Sequence, residues 1–555
     1  MGKKINVTLN GKGLLVNSGV TVSQILTKKP HKGAYPAIAA VVNNRLVGLY
    51  HDLKTSSAIT TLDLTSREGA EVYRRTANLI FFAALKEVYP RAKVEVGQSI
   101  GNGYFMEIEG EKVTDKFIEK VEASIRRFIK KDLALRPFWI PTEDAMAQFK
   151  KAGRSDRVLL LQQMRKSEAQ VLDIGKYRGY VFGPVACRSG LVDRLRLHKY
   201  RHGLVMEFPG MDGKFVGMVE DKPKLFEAYI ETRKWNELIG VKNVAQLNKY
   251  CISGEASELI KVAEAQHEKK IAAIADEILR KKDVRLILIA GPSASGKTTF
   301  IKRLAIQLMV NGLKPVSLSI DNYYLDRKDT PKRADGTLDF EIIDALDLKL
   351  FNRHLKDLMN GKSINSPVYS FSEGTRHPTR KRKLKLGKHQ ILITEGLHAL
   401  NERLSSEIPA KNKVKIYVSA LTQLCIDDHS RILTSDVRLL RRLVRDRLFR
   451  GSSAAETLAL WSSVRAGENV HIFPYQEEAD IMFNSTLVYE PALLKPLAER
   501  FLMEVPQSDP SFAEALRLLR FLDLLVPILP NEIPHTRSEE RRVGKECRSR
   551  WSPYH

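Results

Sequence analysis

The chain is short of cysteine, short of acid relative to base, and without long apolar runs. Its four cysteines, Cys187, Cys251, Cys425 and Cys547, stand at no paired spacing, which excludes a disulfide framework and fits a reducing, cytoplasmic setting. No stretch of eighteen or more uncharged apolar residues occurs, so no membrane span and no membrane partner are expected. The first residues, Met1-Gly-Lys-Lys-Ile-Asn-Val-Thr8, run straight into strand-like alternation and lack the apolar core of a signal peptide. No internal repeat or low-complexity tract stands out. What is present is an ordinary globular composition, 43% hydrophobic and 28% charged, on a chain of 555 residues. That length predicts about three or four domains rather than one core. The net charge of +25 suggests affinity for a polyanion, nucleotide or RNA, with a diffuse basic surface as the equal alternative.

The most informative stretch is Arg285-Leu-Ile-Leu-Ile-Ala-Gly291-Pro-Ser293-Ala294-Ser295-Gly296-Lys297-Thr298-Thr299-Phe300. An apolar strand feeds a Gly-rich turn, and the turn feeds a helix beginning near Lys297: the G-x-x-x-x-G-K-[ST] pattern in its proper context. Glycine lets the backbone N–H groups curl around a polyphosphate, and the helix N-terminus adds its positive end. Lys297 would reach the β- and γ-phosphates and the Thr298 hydroxyl would ligate Mg²⁺, so residues 291 and 293–299 are the expected site for ATP or GTP.

The following elements read as the rest of a kinase unit. Pro315–Ile320 is a buried strand running into Asp321-Asn-Tyr-Tyr324, which places a carboxylate at the ligand-binding edge of a parallel sheet. A kinase needs a group there to accept the proton of the attacking hydroxyl; the alternative is a helix-capping aspartate. Pro367-Val-Tyr369-Ser-Phe371 is an aromatic cluster before a basic hairpin, Thr375 to Lys385, and Gln390–Glu395 is a second apolar strand ending in an acid, suited to the Mg²⁺ side. Arginines 438, 441, 442 and 445 recur at spacings of three and four, and Arg450 precedes Gly451. That spacing suggests a lid whose arginines close over phosphates, against the plainer reading of a solvated helix face.

Ahead of this unit, Lys4–Gly11 and Leu14–Gly19 form a hairpin pattern through Asn10-Gly11, Val20–Leu26 starts a helix capped by Thr21 or Ser23, and Ala37–Val42 is a further strand. Ser66–Pro90 is a long amphipathic helix, followed by two strand-like pieces in Val94–Glu107. Cys187, His198 and His202 lie close together, the histidines at i, i+4, but no fourth ligand is evident and a structural reading prevails. Residues 226–284 are helical, ending in a connector helix over Ile260–Leu279, and Phe512–Leu529 is an apolar-rich helix expected to pack back on the body. Arg537 to His555 is basic and aperiodic and reads as a disordered, non-native tail.

Taken together, Gly-Pro-Ser-Ala-Ser-Gly-Lys-Thr, Ser-Ile-Asp-Asn-Tyr-Tyr, Pro-Val-Tyr-Ser-Phe, Thr-Glu-Gly and Arg-Arg-Leu-Val-Arg-Asp resemble the uridine kinase/phosphoribulokinase family of P-loop kinases. The front half resembles threonyl-tRNA synthetase: a TGS-like β-grasp domain over 1–62 and an α+β editing-like domain over 63–225. The remaining expected divisions are a helical connector (226–284), the α/β kinase domain with its parallel sheet (285–500), a C-terminal helix (501–536) and the tail (537–555). The kinase resemblance implies Asp321 as catalytic base, with Lys297 and Arg445 in the catalytic set. It implies Tyr324, Asp339, Tyr369 and Arg442 on the nucleoside, Arg450 on the nucleotide, and Thr298 and Glu395 on Mg²⁺. Two departures concern the acceptor and the lid: the family's uridine-specific histidine aligns with Gly374, His377 lying further on, and a lid arginine is replaced by Ser452. In the editing-like unit the family's four metal-site positions fall on Arg75, Leu79 and the apolar Val181-Phe-Gly-Pro-Val185, so no hydrolytic activity carries over.

Three functions compete on these grounds. The first is a cytoplasmic nucleoside kinase acting on uridine or cytidine. The second is a kinase of another small alcohol such as a sugar phosphate, which the basic hairpin would suit. The third is an RNA-binding protein in which nucleotide acts as a switch, with tRNA or other RNA held by the front half. A homo-oligomer is expected.

Overall fold

The computed structural model describes residues 3–533 apart from 216, 218–220, 333–335, 337, 340–341 and 371–372. Phe371 of the aromatic cluster and the tail 537–555 therefore lie outside the described residues. Among those described, no helix is long and apolar enough to cross a membrane.

The first unit is a five-stranded sheet ordered Lys12–Asn17, Lys4–Leu9, Ser57–Leu62, Ala39–Val42, Arg45–Gly48. Asn10 (φ 46°) and Gly11 (φ 83°) both take the left-handed conformation that a two-residue hairpin turn requires. Thr21 caps the helix Val22–Lys28 in a capping box with Gln24. Ser57–Leu62 pairs parallel with Lys4–Leu9 in the middle of the sheet, which closes a β-grasp. Its strands alternate buried and exposed residues, so a single apolar face packs on the helix through Ile5, Val7, Val22, Ile25 and Ile59.

The helix Arg67–Val88, capped by Ser66, runs into the next unit with thirteen buried residues. It packs against a four-stranded antiparallel sheet ordered Arg196–Tyr200, Gly203–Glu207, Gly103–Glu109, Lys93–Ile100. A separate three-stranded sheet, Phe138–Pro141, Glu168–Ile174 and Tyr177–Tyr180, lies beyond it. His198 stands on a strand rather than on a helical face. Its Nε2 lies 2.8 Å from Glu207 while His202 faces Glu107 at 3.6 Å, so the two histidines do not converge on one ion. Cys187 packs against the β-grasp core instead. The three residues are therefore structural.

Beyond helices Pro223–Leu238, Val244–Ser253 and Ala256–Arg280, five parallel strands form the central sheet in the order Lys314–Ser319, Gln390–Glu395, Leu286–Ala290, Lys413–Ser419, Ile481–Asn484. Every residue of Leu286–Ala290 is buried, as expected for a parallel strand covered on both faces. Leu286 and Leu288 point into a core with Tyr323, Phe351 and Leu392. Ile287 and Ile289 point the other way, onto Phe300, Leu304, Ile271 and Ile274. The connector helix thus covers one face of the kinase sheet. The apolar C-terminal helix spans only Phe512–Leu522; a turn follows, with Leu524, Leu525 and Ile528 still buried in the same core as the arginine-bearing helix Thr434–Phe449.

A short hairpin, Cys425–Asp427 with Ser430–Arg431, fastens the two halves together. Arg157 Nε donates to the Asp427 carboxylate at 3.1 Å and the Val96 N–H donates to the Asp428 carbonyl at 2.8 Å. His429 stacks on Phe82 at 4.0 Å, with Arg154 and Tyr177 at its ring nitrogens. Burial and the two arginines hold the His429 imidazole far below its usual range, so it packs as a neutral ring.

Candidate active site

The strands that end in Ala290, Ser319 and Glu395 finish level with one another, Ile289 opposing Glu395 and Ser319 opposing Glu395 in register. Whatever follows each strand must therefore gather at one edge. After Ala290 comes the P-loop, after Ser319 comes Asp321, and Glu395 is itself a strand end.

The loop geometry is demanding. A Cβ on Gly291 would lie 2.0 Å from the Val418 carbonyl oxygen of the neighbouring strand, so no side chain fits there. Ala294 (φ 56°) and Gly296 (φ 85°) take left-handed conformations that wrap the turn into the helix Lys297–Val310. Lys297 Nζ folds back to the Gly291 carbonyl at 2.7 Å, and Ser295 Oγ is buried with no partner. Thr298 is exposed in the first helical turn beside half-buried Thr299. Such a loop fits a triphosphate: it combines a buried unsatisfied hydroxyl, a helix N-terminus and a lysine whose desolvation lowers it to about 8.

Glu395 is the largest opposing influence on Lys297, and Lys297 in turn acts on both Glu395 and Asp321. Desolvation raises both carboxyls, against the pull of Lys297; Asp321 adds its like charge to Glu395. Two carboxylates and one ammonium thus share one site. Asp321 nonetheless reaches solvent at the lip, where an incoming alcohol would meet it.

Tyr324, three residues after Asp321, faces Tyr369, their rings 5.7 Å apart at 47°. The Tyr369 N–H donates to Asn322 Oδ1 at 3.2 Å, which ties the strand Ser363–Ser370 to the segment after Asp321. Asp339 is half-buried and its N–H donates to the Pro331 carbonyl at 2.7 Å. Tyr323, next to Tyr324 in the sequence, offers no surface to a ligand: it is 0% exposed and hydrogen-bonds His354 Nδ1 at 2.8 Å. At Gly374 a Cβ would meet Arg327 Nε at 2.0 Å. Where the family places a histidine, this chain has an arginine from another segment lying against a glycine.

The arginines of the helix Thr434–Phe449 find different partners. Arg442 Nη1 reaches Ser293 Oγ at 3.0 Å, and Arg442, Arg445 and Arg450 all converge on the buried Asp446 carboxylate, at 3.2, 2.7 and 3.6 Å. Of the three, Arg442 touches the P-loop and Arg445 is an electrostatic neighbour of Lys297, while Arg450 is exposed at the helix end. Arg438 and Arg441, which spacing grouped with them, also reach P-loop carbonyls, of Ser293 at 3.0 Å and Ala294 at 3.4 Å, and are in addition held in buried ion pairs. Arg438 is 1% exposed and pairs with Glu468, itself 3% exposed; Arg441 pairs with Glu490 and bonds Ser485 Oγ at 3.2 Å.

Glu468 is the residue that motif reading misses. It lies on the helix Ala454–His471 and accepts the Ser293 N–H at 2.8 Å, while Arg438 Nε donates to the Ser293 carbonyl at 3.0 Å. The pair braces the loop from outside. No sequence signal marks it, since 175 residues separate Ser293 from Glu468.

The editing-like cleft has no comparable opening. Arg75 Nη1 donates to the Pro184 carbonyl at 2.6 Å and its side chain lies against Gly183, while Leu79 is buried. Among the described residues, no group of three His, Cys, Asp or Glu side chains could hold a metal ion.

The phosphoribulokinase / uridine kinase family model matches residues 286–489. Uridine kinase of Mycoplasma genitalium is 32% identical over 182 residues, covering 33% of this chain and 75% of that protein. Threonine–tRNA ligase of Clostridium tetani is 29% identical over 198 residues, covering 35% of this chain and 31% of the ligase. The chain thus spans about a third of that relative's length, and its N-terminal half is the part that resembles it. Among solved structures, phosphoribulokinase from Rhodobacter spheroides aligns at 21% identity and a TM-score of 0.26, over 37% of this chain and 70% of that one. Through its P-loop unit, the chain belongs to the phosphoribulokinase / uridine kinase family.

Proposed function

We propose that the chain transfers the γ-phosphoryl group of ATP or GTP to the 5′-hydroxyl of a nucleoside, uridine or cytidine. The observation that carries this reading is the meeting of Lys297, Asp321 and Glu395 at one end of the parallel sheet, beside a P-loop that no Cβ could enter at Gly291. Lys297 and the loop N–H groups hold the triphosphate. Asp321 orients the hydroxyl and takes its proton, and a raised carboxyl makes it a better base once ionised. Arg442, Arg445 and Arg450 supply positive charge as negative charge moves onto the leaving oxygen. Thr298 and Glu395 would hold Mg²⁺, which when bound neutralises phosphate charge. Tyr324 and Tyr369 offer a flat base two ring faces.

A second reading, a kinase of a different small alcohol, is favoured by one feature: Arg327 beside Gly374, with the basic strand Thr375–Lys385 leading away from it. A guanidinium there suits a substrate carrying its own anion as well as a base carbonyl. Coupled ATP turnover against a panel of nucleosides and sugar phosphates separates the two. Turnover of uridine or cytidine well above every sugar phosphate is the expected result, and the reverse ranking would reject the nucleoside reading.

A further inference from the structure

The strand Thr375–Lys385 and the turn after it hold no acid between Thr375 and His389, against seven lysines and arginines. Arg376 is engaged in the fold. Its guanidinium donates to the Tyr323 and Tyr324 carbonyls, each at 3.0 Å, and pairs with Asp347 at 3.0 Å. The other six, Arg380, Lys381, Arg382, Lys383, Lys385 and Lys388, are exposed, and none makes an ion pair among the described residues.

The strand pairs on one side only, with Ser363–Ser370. Ile364 opposes Leu384, and both are buried in the core that holds Phe351. Asn365 opposes Lys383 and Ser363 opposes Lys385, and these four face solvent. By alternation Lys381 joins Lys383 and Lys385 on the outer face, successive lysines standing about 7 Å apart. That repeat is close to the step between neighbouring phosphates on an extended nucleic acid strand. Lysine on an open edge also guards against strand pairing, but one or two residues serve that end, and six cations in the nine residues 380–388 exceed it. Among the described residues of the hairpin no large apolar side chain is exposed, so the face lacks the anchors that seat a protein on a lipid surface. The strand is also rooted beside the kinase site, since Arg376 opposes Tyr369 in register and is fastened to the backbone of Tyr324.

We propose that the outer face of this strand, led by Lys381, Lys383 and Lys385, is a track for the phosphate backbone of a single-stranded nucleic acid. The polyanion face stands on the geometry alone; the choice of nucleic acid rests on the kinase reading above, because the track begins where that reading seats a nucleoside. Lysine suits the task, being a mobile point charge that follows a flexible backbone without reading its sequence.

Fluorescence anisotropy of the full chain with a labelled single-stranded RNA of about twelve nucleotides, and with DNA of the same sequence, tests the track across a salt series and separates the two sources. Lys381→Gln, Lys383→Gln and Lys385→Gln combined remove three phosphate contacts. The slope of log affinity against log salt should then fall by about 2, and affinity near about 0.1 M salt by about a hundredfold. A comparison variant combines Lys28→Gln, Lys29→Gln and Lys32→Gln, three exposed lysines of the β-grasp unit, with the same change in net charge. It should bind within about twofold of the unaltered chain, because scattered charge beyond a Debye length contributes little. ATP affinity, measured in parallel, should stay unchanged in both variants, which shows the fold intact. Oligonucleotide binding lost in the first variant, in a protein that phosphorylates no nucleoside, would keep the track and discard the kinase reading. Equal weakening by the two variants would overturn the proposal, since the charge would then act diffusely. So would an unaltered chain that binds neither oligonucleotide at low salt. Displacement of the oligonucleotide by polyglutamate of matched charge at equal concentration would overturn it too, assigning the face to an acidic protein segment.

Discussion

The P-loop unit and the editing-like unit each set a basic residue into a cleft beside a helix, and they treat it in opposite ways. Around Lys297 two carboxylates stand within electrostatic reach and the Ser295 hydroxyl is buried without a partner, so the lysine has a reason to stay charged and an unsatisfied polar group in the same loop. Around Arg75 the space is filled by the arginine itself, braced on the Pro184 carbonyl, with Leu79 packed beside it. Both units keep their layered α/β or α+β frame. Packing such a frame needs only apolar volume, whereas a site needs a gap with polar groups aimed into it.

The sharpest break of that comparison would come at Asp321. Asp321→Ala should lower kcat by about 10²–10⁴ with ATP affinity nearly intact, because the residue acts on the acceptor hydroxyl and not on the triphosphate. Near-normal turnover in steady-state assays would remove it from the mechanism. Next is the brace behind the P-loop. Glu468→Ala strands the buried Arg438 guanidinium, and urea unfolding should show a loss of about 3–5 kcal/mol; an unchanged transition midpoint would demote the pair to a passive contact.

A smaller effect concerns protons at Lys297. Its folded value lies near 8, below the 10.5 of a free lysine, so above pH 8 the empty site has lost a proton that a bound triphosphate would restore. Nucleotide binding should therefore take up a proton above pH 8, with affinity falling up to about tenfold per pH unit. Calorimetry in buffers of different ionisation enthalpy reads this directly, and equal heats across buffers at pH 9 would contradict it. By the same sign, the empty protein gains stability between pH 8 and 10.5, where only the unfolded chain keeps the proton. The smallest expected effect is at Arg75. Arg75→Met should leave kinase turnover within about twofold and stability unchanged or improved, since replacing a poorly compensated buried charge by an apolar side chain is commonly neutral. A large fall in turnover would show that the cleft and the P-loop are not independent.

Much of the kinase site was legible because parallel strands deliver their C-terminal ends to one edge: an acid after one strand and an acid ending another had to meet the glycine loop. Strand order was not legible. Gln390–Glu395 sits between Leu286–Ala290 and Lys314–Ser319, although it comes last of the three in the chain. Spacings of three and four put arginines 438, 441, 442 and 445 within about 100° of one helical face, and 438, 441 and 442 do reach the P-loop; what spacing does not record is that Arg438 and Arg441 are also locked onto the buried acids Glu468 and Glu490. Tyr323 and Tyr324 look equivalent as letters, yet neighbours in a short helical turn point apart, and the first is buried against Phe351. The C-terminal helix stops at Leu522 rather than Leu529 because apolar residues can stay buried through a turn as readily as along a helix.

From the order of residues alone came the phosphate loop, the helix that follows it and the acids at neighbouring strand ends, because those depend on local backbone freedom and on the period of apolar residues. Tertiary structure decided which acids the arginines of the helix Thr434–Phe449 pair with, that Glu468 braces the loop from a distant helix, and that Arg327 fills the place beside Gly374. Such choices turn on side chains brought together across long separations, and no local pattern records which burial each charge will find.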